Sequence, residues 1–294
     1  MKKLKSQINI ANHTCAVIAA LLAVNVLPAS AQTLIYEDTF PGSAQNLDGA
    51  PTTGISGLNG GAGGALPQSA AAEQTINGSG QLQLTSPGGY GSGDSGYMRF
   101  DTIGSSSTLY NWASSPGASA ITAAGGFTVS FGWAPPNTTS DDWIYFAAGA
   151  DPSDSFGYGY SLQVLSANTA SGIILANNGN VQTFNGGASG PSGTFATQAA
   201  NVVTLTYNFT SWAAGAPVTM SAAVNGNTVI SGDSFAWASG DAGANYLDLG
   251  TYQTAGGLIN NFEIATVPEP STWTMVMGGM GLLFAHRKLQ RRLA

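Results

Sequence analysis

Large apolar and small polar side chains alternate with a period of two along the middle of this chain, and that spacing restricts it to β-strands. In Phe127-Thr128-Val129-Ser130-Phe131-Gly132-Trp133 the rings and Val129 fall on one side of an extended backbone and the small side chains on the other. The spacing returns in Val203-Thr204-Leu205-Thr206-Tyr207-Asn208-Phe209 and in Val218-Thr219-Met220-Ser221-Ala222-Ala223-Val224. Asn225-Gly226 follows the last of these, and because both residues accept positive φ it predicts a tight hairpin. Asn177-Asn178-Gly179-Asn180 predicts another between Ile173-Ile174-Leu175 and Val181-Gln182-Thr183-Phe184. Further strands are expected at residues 34–36, 81–84, 97–100, 143–147, 160–165, 246–249 and 258–264. The Gly- and Ala-rich stretch from Gly54 to Ala72 reads as a mobile surface loop. Between the two ends of the chain no amphipathic helix of about ten residues is visible.

Around a dozen strands separated by Gly, Pro and Asn turns predict two antiparallel sheets packed face to face. Four features recur in order: Tyr36-Glu37-Asp38-Thr39-Phe40 with Leu47-Asp48-Gly49, Gly80-Gln81-Leu82-Gln83-Leu84, the strand from Phe127 to Trp133, and Asn260-Asn261-Phe262-Glu263-Ile264. Their order resembles the concanavalin A-like jelly roll of the laminin-G and glucanase superfamily. The resemblance implies an all-β sandwich.

The two ends are built differently. Met1-Lys2-Lys3-Leu4-Lys5 is basic, an apolar run extends from Ala16 to Val26, and Ala29-Ser30-Ala31 supplies small residues at Ala29 and Ala31. That run falls short of the roughly 20 apolar residues a bilayer span needs. The segment 1–31 therefore reads as a signal peptide cut by signal peptidase after Ala31. At the other end Val267-Pro268-Glu269-Pro270-Ser271-Thr272 precedes an apolar stretch from Trp273 to Ala285 and a basic tail with Arg287, Lys288, Arg291 and Arg292. The paired prolines hold that strip extended. The tail charges hold the C-terminus on the cytoplasmic side, which leaves residues 32–266 outside.

Motif, short transmembrane stretch and basic tail in that order resemble the PEP-CTERM sorting signal, over residues 267–294. The resemblance implies processing by an exosortase-type membrane enzyme that recognises Pro268, Glu269 and Pro270, in bacteria that export polysaccharide. It also implies that the C-terminal segment sits only transiently in the inner membrane. A permanent single-pass anchor is the competing reading.

Composition then removes several functions. Between positions 32 and 268 Arg99 is the single basic residue, while every one of the fifteen acids except Glu269 lies there. Such a surface repels phosphate backbones, so nucleic acid is excluded as a partner. The same stretch has no Cys and no His. Disulfides, thiolate or imidazole metal sites and nucleophiles activated by histidine are excluded with them. Gly91-Ser92-Gly93-Asp94-Ser95-Gly96 matches a dinucleotide-binding spacing, but the strand-like Tyr97-Met98-Arg99-Phe100 follows it instead of a helix, so no phosphate site is expected.

Glycoside hydrolysis needs two suitably spaced carboxylates. Related glucanases set alternate carboxylates on one strand, and Glu37, Glu73 and Glu263 have no such neighbours. No catalytic residue is assigned, and the domain is read as non-catalytic. Carbohydrate binding asks for an aromatic platform with a few polar groups. The candidates are Trp143, Tyr145, Phe156, Tyr158 and Tyr160, with Asp141 and Asp142 beside them. Core packing is the competing role for these rings, since Trp143 opens an alternating stripe. First and last strands lie side by side in this fold class, so Glu37, Asp38 and Glu263 are the candidates for a calcium ion. The expectation is an exported surface or matrix protein associated with exopolysaccharide or biofilm. A divergent polysaccharide-active enzyme and a ligand-free structural coat protein are the alternatives.

Overall fold

The computed structural model describes residues 32–48, 65–70, 74–85, 95–103, 110–140, 142–150, 169–237, 246–252 and 256–268. In chain order the strands are β1 (Leu34–Asp38), β2 (Gln45–Asn46), β3 (Ala65–Ala70), β4 (Thr75–Ile76), β5 (Leu82–Leu84), β6 (Ser95–Thr102), β7 (Gly126–Ala134) and β8 (Trp143–Ala150). They continue with β9 (Ser171–Ala176), β10 (Asn180–Asn185), β11 (Ala188–Thr194), β12 (Asn201–Asn208), β13 (Pro217–Val224), β14 (Asn227–Ala236), β15 (Tyr246–Tyr252) and β16 (Gly257–Thr266). One short helix, α1 (Ala118–Ala123), and a 3-10 turn at Trp112–Ser114 precede β7.

Two sheets result, and every strand pair in them is antiparallel. Sheet A runs β14-β13-β12-β7-β16-β5-β4-β2, with β1 also paired to β16. Sheet B runs β11-β10-β9-β8-β15-β6-β3. The last two strands enter the middle of the sheets, β15 between β6 and β8 and β16 between β7 and β5. This is jelly-roll connectivity, the all-β sandwich expected of the sequence.

The alternation places each side chain. In β12 the burial pattern switches residue by residue, with Val203, Leu205 and Tyr207 inward. They meet Phe131, Val129 and Phe127 across the β7 pairing. The rings continue the packing between the sheets: Phe127 stacks on Tyr207 at 4.9 Å, and Trp212 stacks on Trp237 at 5.3 Å. Trp133 is also interior, its indole N–H donating to the Gly256 carbonyl at 2.9 Å. The β13–β14 turn has Asn225 at φ 52° and Gly226 at φ 76°, as the Asn-Gly pair requires.

The expected loop at Gly54 to Ala72 is corrected in part, because residues 65–70 form β3 and pair with β6. Pro67 conceals it from a sequence reading, yet β3 is the edge of sheet B, where a missing N–H leaves no ladder bond unmade. Pro191 occupies β11, the other edge of that sheet, for the same reason. The strand expected at 160–165 lies outside the described residues. Among the described residues no helix is long and apolar enough to cross a membrane. The C-terminal stretch from Trp273 to Ala285, read as a short transmembrane segment, lies outside the described residues.

Candidate functional site

Sheet B buries side chains on both of its faces. Ile144, Phe146, Met98, Leu247 and Leu249 point into the space between the sheets. On the opposite face Tyr145, Tyr97 and Ala147 form a second buried cluster, with Trp143, Ile174 and Phe184 packed around it. Trp143 and Tyr145 lie two residues apart on β8, so both project to this outer face. Gly250 faces Tyr145 on one side and Tyr97 on the other. A Cβ at that position would come within 2.7 Å of Tyr145 Cζ and 2.5 Å of Tyr97 Cβ, so only glycine lets the ring lie across the sheet.

Three ionisable residues join the rings. Asp248 is opposite both Ala147 and Arg99, which puts it on the same outer face. It is buried, and neither carboxylate oxygen has a hydrogen-bond partner. Burial pushes its carboxyl well above the usual carboxylate range, which favours the protonated form. Burial also pushes the Tyr97 phenol up, with Asp248 adding to the effect and Arg99 opposing it. Arg99, the lone basic residue between positions 32 and 268, does not pair with Asp248 opposite it. Its guanidinium Nε lies 2.9 Å from Asp101 Oδ1, and Nη2 donates to Asp101 Oδ2 at 3.1 Å.

The loop before β8 and the β9–β10 turn beside it are polar. Ser140 Oγ donates to Asp142 Oδ2 at 2.8 Å, and Asn177 Nδ2 donates to Ser140 Oγ at 3.1 Å. The Asn177 N–H donates to the Asp142 carbonyl at 2.7 Å, tying the β9–β10 turn to the start of β8. Asn137 Oδ1 accepts from the Thr139 and Ser140 N–H groups and so shapes the loop before β8. Asn177 is fully buried, yet its Oδ1 has no hydrogen-bond partner. Trp143 is half-buried beside this network.

Of the aromatic and acidic platform expected from sequence, the structure brings Trp143 and Tyr145 together on one face of β8, while Asp142, the residue before Trp143, joins Ser140. Tyr145 is fully buried, which removes it as an exposed stacking surface and gives it the core role instead. Phe156, Tyr158, Tyr160 and Asp141 lie outside the described residues. Tyr97, Arg99 and Asp248 were not singled out by sequence reasoning. The signal was present in the solitary Arg99 and in an acid placed between Leu247 and Leu249.

The candidate calcium residues are divided. Glu37 on β1 stands directly opposite Glu263 on β16. Asp38 is buried and committed elsewhere: its Oδ1 accepts from the Phe40 N–H at 2.7 Å and its Oδ2 from the Tyr36 hydroxyl at 3.2 Å. Those bonds hold Phe40 at φ 51°. Among the described residues no group of three or more His, Cys, Asp and Glu is placed to hold a metal ion. Pro268 of the sorting strip is exposed and directly follows Val267, which is buried and whose N–H donates to the Gly126 carbonyl at 3.1 Å. Glu269, Pro270, Ala29 and Ala31 lie outside the described residues.

Residues 266–292 match the PEP-CTERM protein-sorting motif. No curated protein matches the chain by sequence. Among solved structures, the chain is similar to the potassium-bound Emp46p carbohydrate recognition domain, at 10% identity and TM-score 0.37 over 68% of this chain and 87% of that one. It is also similar to a Bacillus subtilis protein of unknown function with a galectin-like fold, at 8% identity and TM-score 0.44 over 80% and 96%. A third likeness is to the binding domain of botulinum neurotoxin DC in complex with rat synaptotagmin II, at 12% identity and TM-score 0.43 over 84% of this chain and 51% of that one. The chain thus spans about half of the neurotoxin domain. The sorting motif marks an exported, exosortase-processed protein of the cell envelope or surface.

Proposed function

We propose that the β-sandwich is a non-catalytic, carbohydrate-associated component of the cell surface or extracellular matrix, retained in or released to an exopolysaccharide layer. Signal peptidase and an exosortase-type enzyme are its processing partners. The observation that carries this reading is the start of β8, where the half-buried Trp143 directly follows Asp142, and Asp142, Ser140 and Asn177, with its unpartnered Oδ1, form a fixed polar network. An apolar ring beside a few fixed polar groups is what a sugar, with one apolar face and a rim of hydroxyls, can use. The low-charge surface of Ser, Thr, Asn and Gly suits a hydrated sugar matrix.

The test is a glycan array probed with the full chain in detergent, followed by titration of each hit. Binding that weakens at least tenfold in Trp143→Ala and again in Asp142→Asn supports the reading. Binding indifferent to both substitutions removes this region as the site. Hydrolysis of a bound polysaccharide, abolished by a single Asp→Asn change, establishes the divergent enzyme instead. Neither binding nor turnover leaves a structural coat protein, the role favoured by the burial of Tyr97 and Tyr145 on the outer face.

A further inference from the structure

Away from the start of β8, the two sheets close on each other where β11 of sheet B lies against β14 of sheet A, with Gly193 against the Val229 carbonyl. Inside that closure the interior turns polar. Tyr207, Met220 and Asp233 form one row across β12, β13 and β14. Ser171 and Asn185, each adjoining the Gly172–Phe184 pair of β9 and β10, face them from sheet B. Gly190 sits at the centre: a Cβ there would come within 2.5 Å of Thr183 Oγ1, 3.2 Å of Asp233 Oδ2 and 3.4 Å of Asn185 Nδ2, so glycine lets these groups approach the backbone.

Some of these groups are satisfied. Asn185 Nδ2 donates to Asp233 Oδ1 at 2.9 Å, and Thr183 Oγ1 donates to the Pro191 carbonyl at 3.1 Å. Five buried atoms have no hydrogen-bond partner: Asp233 Oδ2, Asn185 Oδ1, Ser171 Oγ, Tyr207 Oη and Thr169 Oγ1. Thr169 belongs to the same corner, since its carbonyl accepts from the Gly186 N–H at 3.0 Å. The Ser171 hydroxyl is the group nearest to relieving Tyr207, yet the two do not complete a hydrogen bond. All five atoms are oxygens. Burial pushes the Tyr207 phenol up, so it offers a neutral hydroxyl.

The carboxylate decides what belongs there. Asp233 is 5% exposed, and a buried charge is stable only when paired or coordinated to an ion. The one cationic side chain between positions 32 and 268, Arg99, is on the outer face of sheet B and is engaged with Asp101. A set of oxygen donors without nitrogen or sulfur selects a hard cation. One carboxylate with neutral oxygens balances a single positive charge, whereas a divalent ion would leave net charge in the interior.

We propose that Asp233, Asn185, Ser171 and Tyr207, with Thr169 at the margin, hold a sodium or potassium ion between the two sheets. The ion would join β9 and β10 of sheet B to β12 and β14 of sheet A. It therefore acts as a structural cross-link, independent of any glycan at the start of β8.

The experiment is thermal unfolding of the full chain in detergent, at constant ionic strength, with choline chloride replaced stepwise by NaCl or KCl. Sodium-23 NMR line widths report binding directly. The unfolding midpoint is expected to rise and saturate with one alkali cation, with the sodium line narrowing when potassium displaces it if both bind. Asp233→Asn is expected to abolish both responses while folding in choline chloride, because the amide keeps the shape and removes the charge. Tyr207→Phe is expected to shift the titration to higher cation concentration, and the exposed Asp48→Asn to leave it unchanged. Equal midpoints in choline, sodium and potassium, a response retained in Asp233→Asn, or a response to calcium alone would each overturn the proposal.

Discussion

Thr33 and Thr266 hold each other by a reciprocal pair of hydrogen bonds: the Thr33 N–H donates to Thr266 Oγ1 at 2.9 Å, and the Thr266 N–H donates to the Thr33 carbonyl at 2.9 Å. One lies two residues after Ala31 and the other two residues before Pro268. Cleavage after Ala31, or at any position from Pro268 onward, therefore falls outside the clasp and leaves the β1–β16 pairing whole.

Thr266→Val keeps the shape of that side chain and removes one of the two bonds. Because Thr33 is exposed, water can take over its N–H, and the loss is expected at about 0.5–1 kcal/mol. Amide hydrogen exchange checks the placement: β1 should exchange faster while β12 and β13 stay protected. Uniform loss of protection across sheet A would show that the clasp is not local.

Glu37 and Glu263 face each other across the same strand pair, a like-charge arrangement that opposes pairing. Glu263→Gln should stabilise the domain by about 0.2–1 kcal/mol in dilute buffer. The gain should shrink as salt approaches 1 M, where screening acts within about 3 Å. Denaturant titrations at two salt concentrations measure both effects. A gain insensitive to salt would locate its origin in packing.

Much of the fold is legible because one face of a strand is solvated and the other is not. Sheet A gives the cleanest signal, with β12 and β13 alternating throughout and Asn225-Gly226 marking the following turn. The short strands β2 and β4 have too few residues to show a period, and Pro67 and Pro191 disguise the two edges of sheet B. The site was harder to read. Alternation assigns Tyr97, Arg99 and Asp248 to a wet surface, but the outer face of sheet B is itself buried, so Asp248 reads from sequence as an ordinary solvated acid. The Asp233 corner depends on residues brought together from β9, β10, β12 and β14, which no local spacing reveals.

The hairpin offers a test in which backbone conformation acts alone. Gly226 has φ 76° and nothing within 4 Å of the position a Cβ would take. Gly226→Ala therefore meets no steric neighbour and should cost about 1–2 kcal/mol from the left-handed conformation only. At about 2–4 °C per kcal/mol for a domain of this size, calorimetry resolves the change. An unchanged midpoint would mean that the turn relaxes to another type.

Asp248 predicts a pH profile of definite sign. Its folded-state carboxyl is raised by burial, so the folded chain keeps the proton after the unfolded chain, with an ordinary value of about 3.9, has lost it. Stability contributed by the protonated group is complete below that value and declines as pH rises above it, by up to about 1.4 kcal/mol per pH unit. Asp248→Asn cannot ionise, so its stability should fall less steeply between pH 4 and 7. Unfolding midpoints of both proteins across that range decide the matter, and parallel profiles would show that Asp248 is charged in the fold.

The sorting strip predicts a phenotype separable from folding. Pro268 is exposed immediately beyond the buried Val267, and Glu269 is the only acid outside the span from 32 to 268. A residue flanked by prolines is disfavoured in a helix, which is the sequence-based reason to expect that a membrane enzyme can read Glu269. In a host with an exosortase, Glu269→Ala should accumulate in the inner-membrane fraction as a species heavier than the processed protein by the uncut tail. Its unfolding midpoint should equal that of the unaltered chain, because the substitution lies beyond the last ladder bond of β16. Mass spectrometry of the fractionated protein reads the processing, and unfolding reads the fold. Normal processing of the variant would show that Glu269 is not part of what the enzyme recognises.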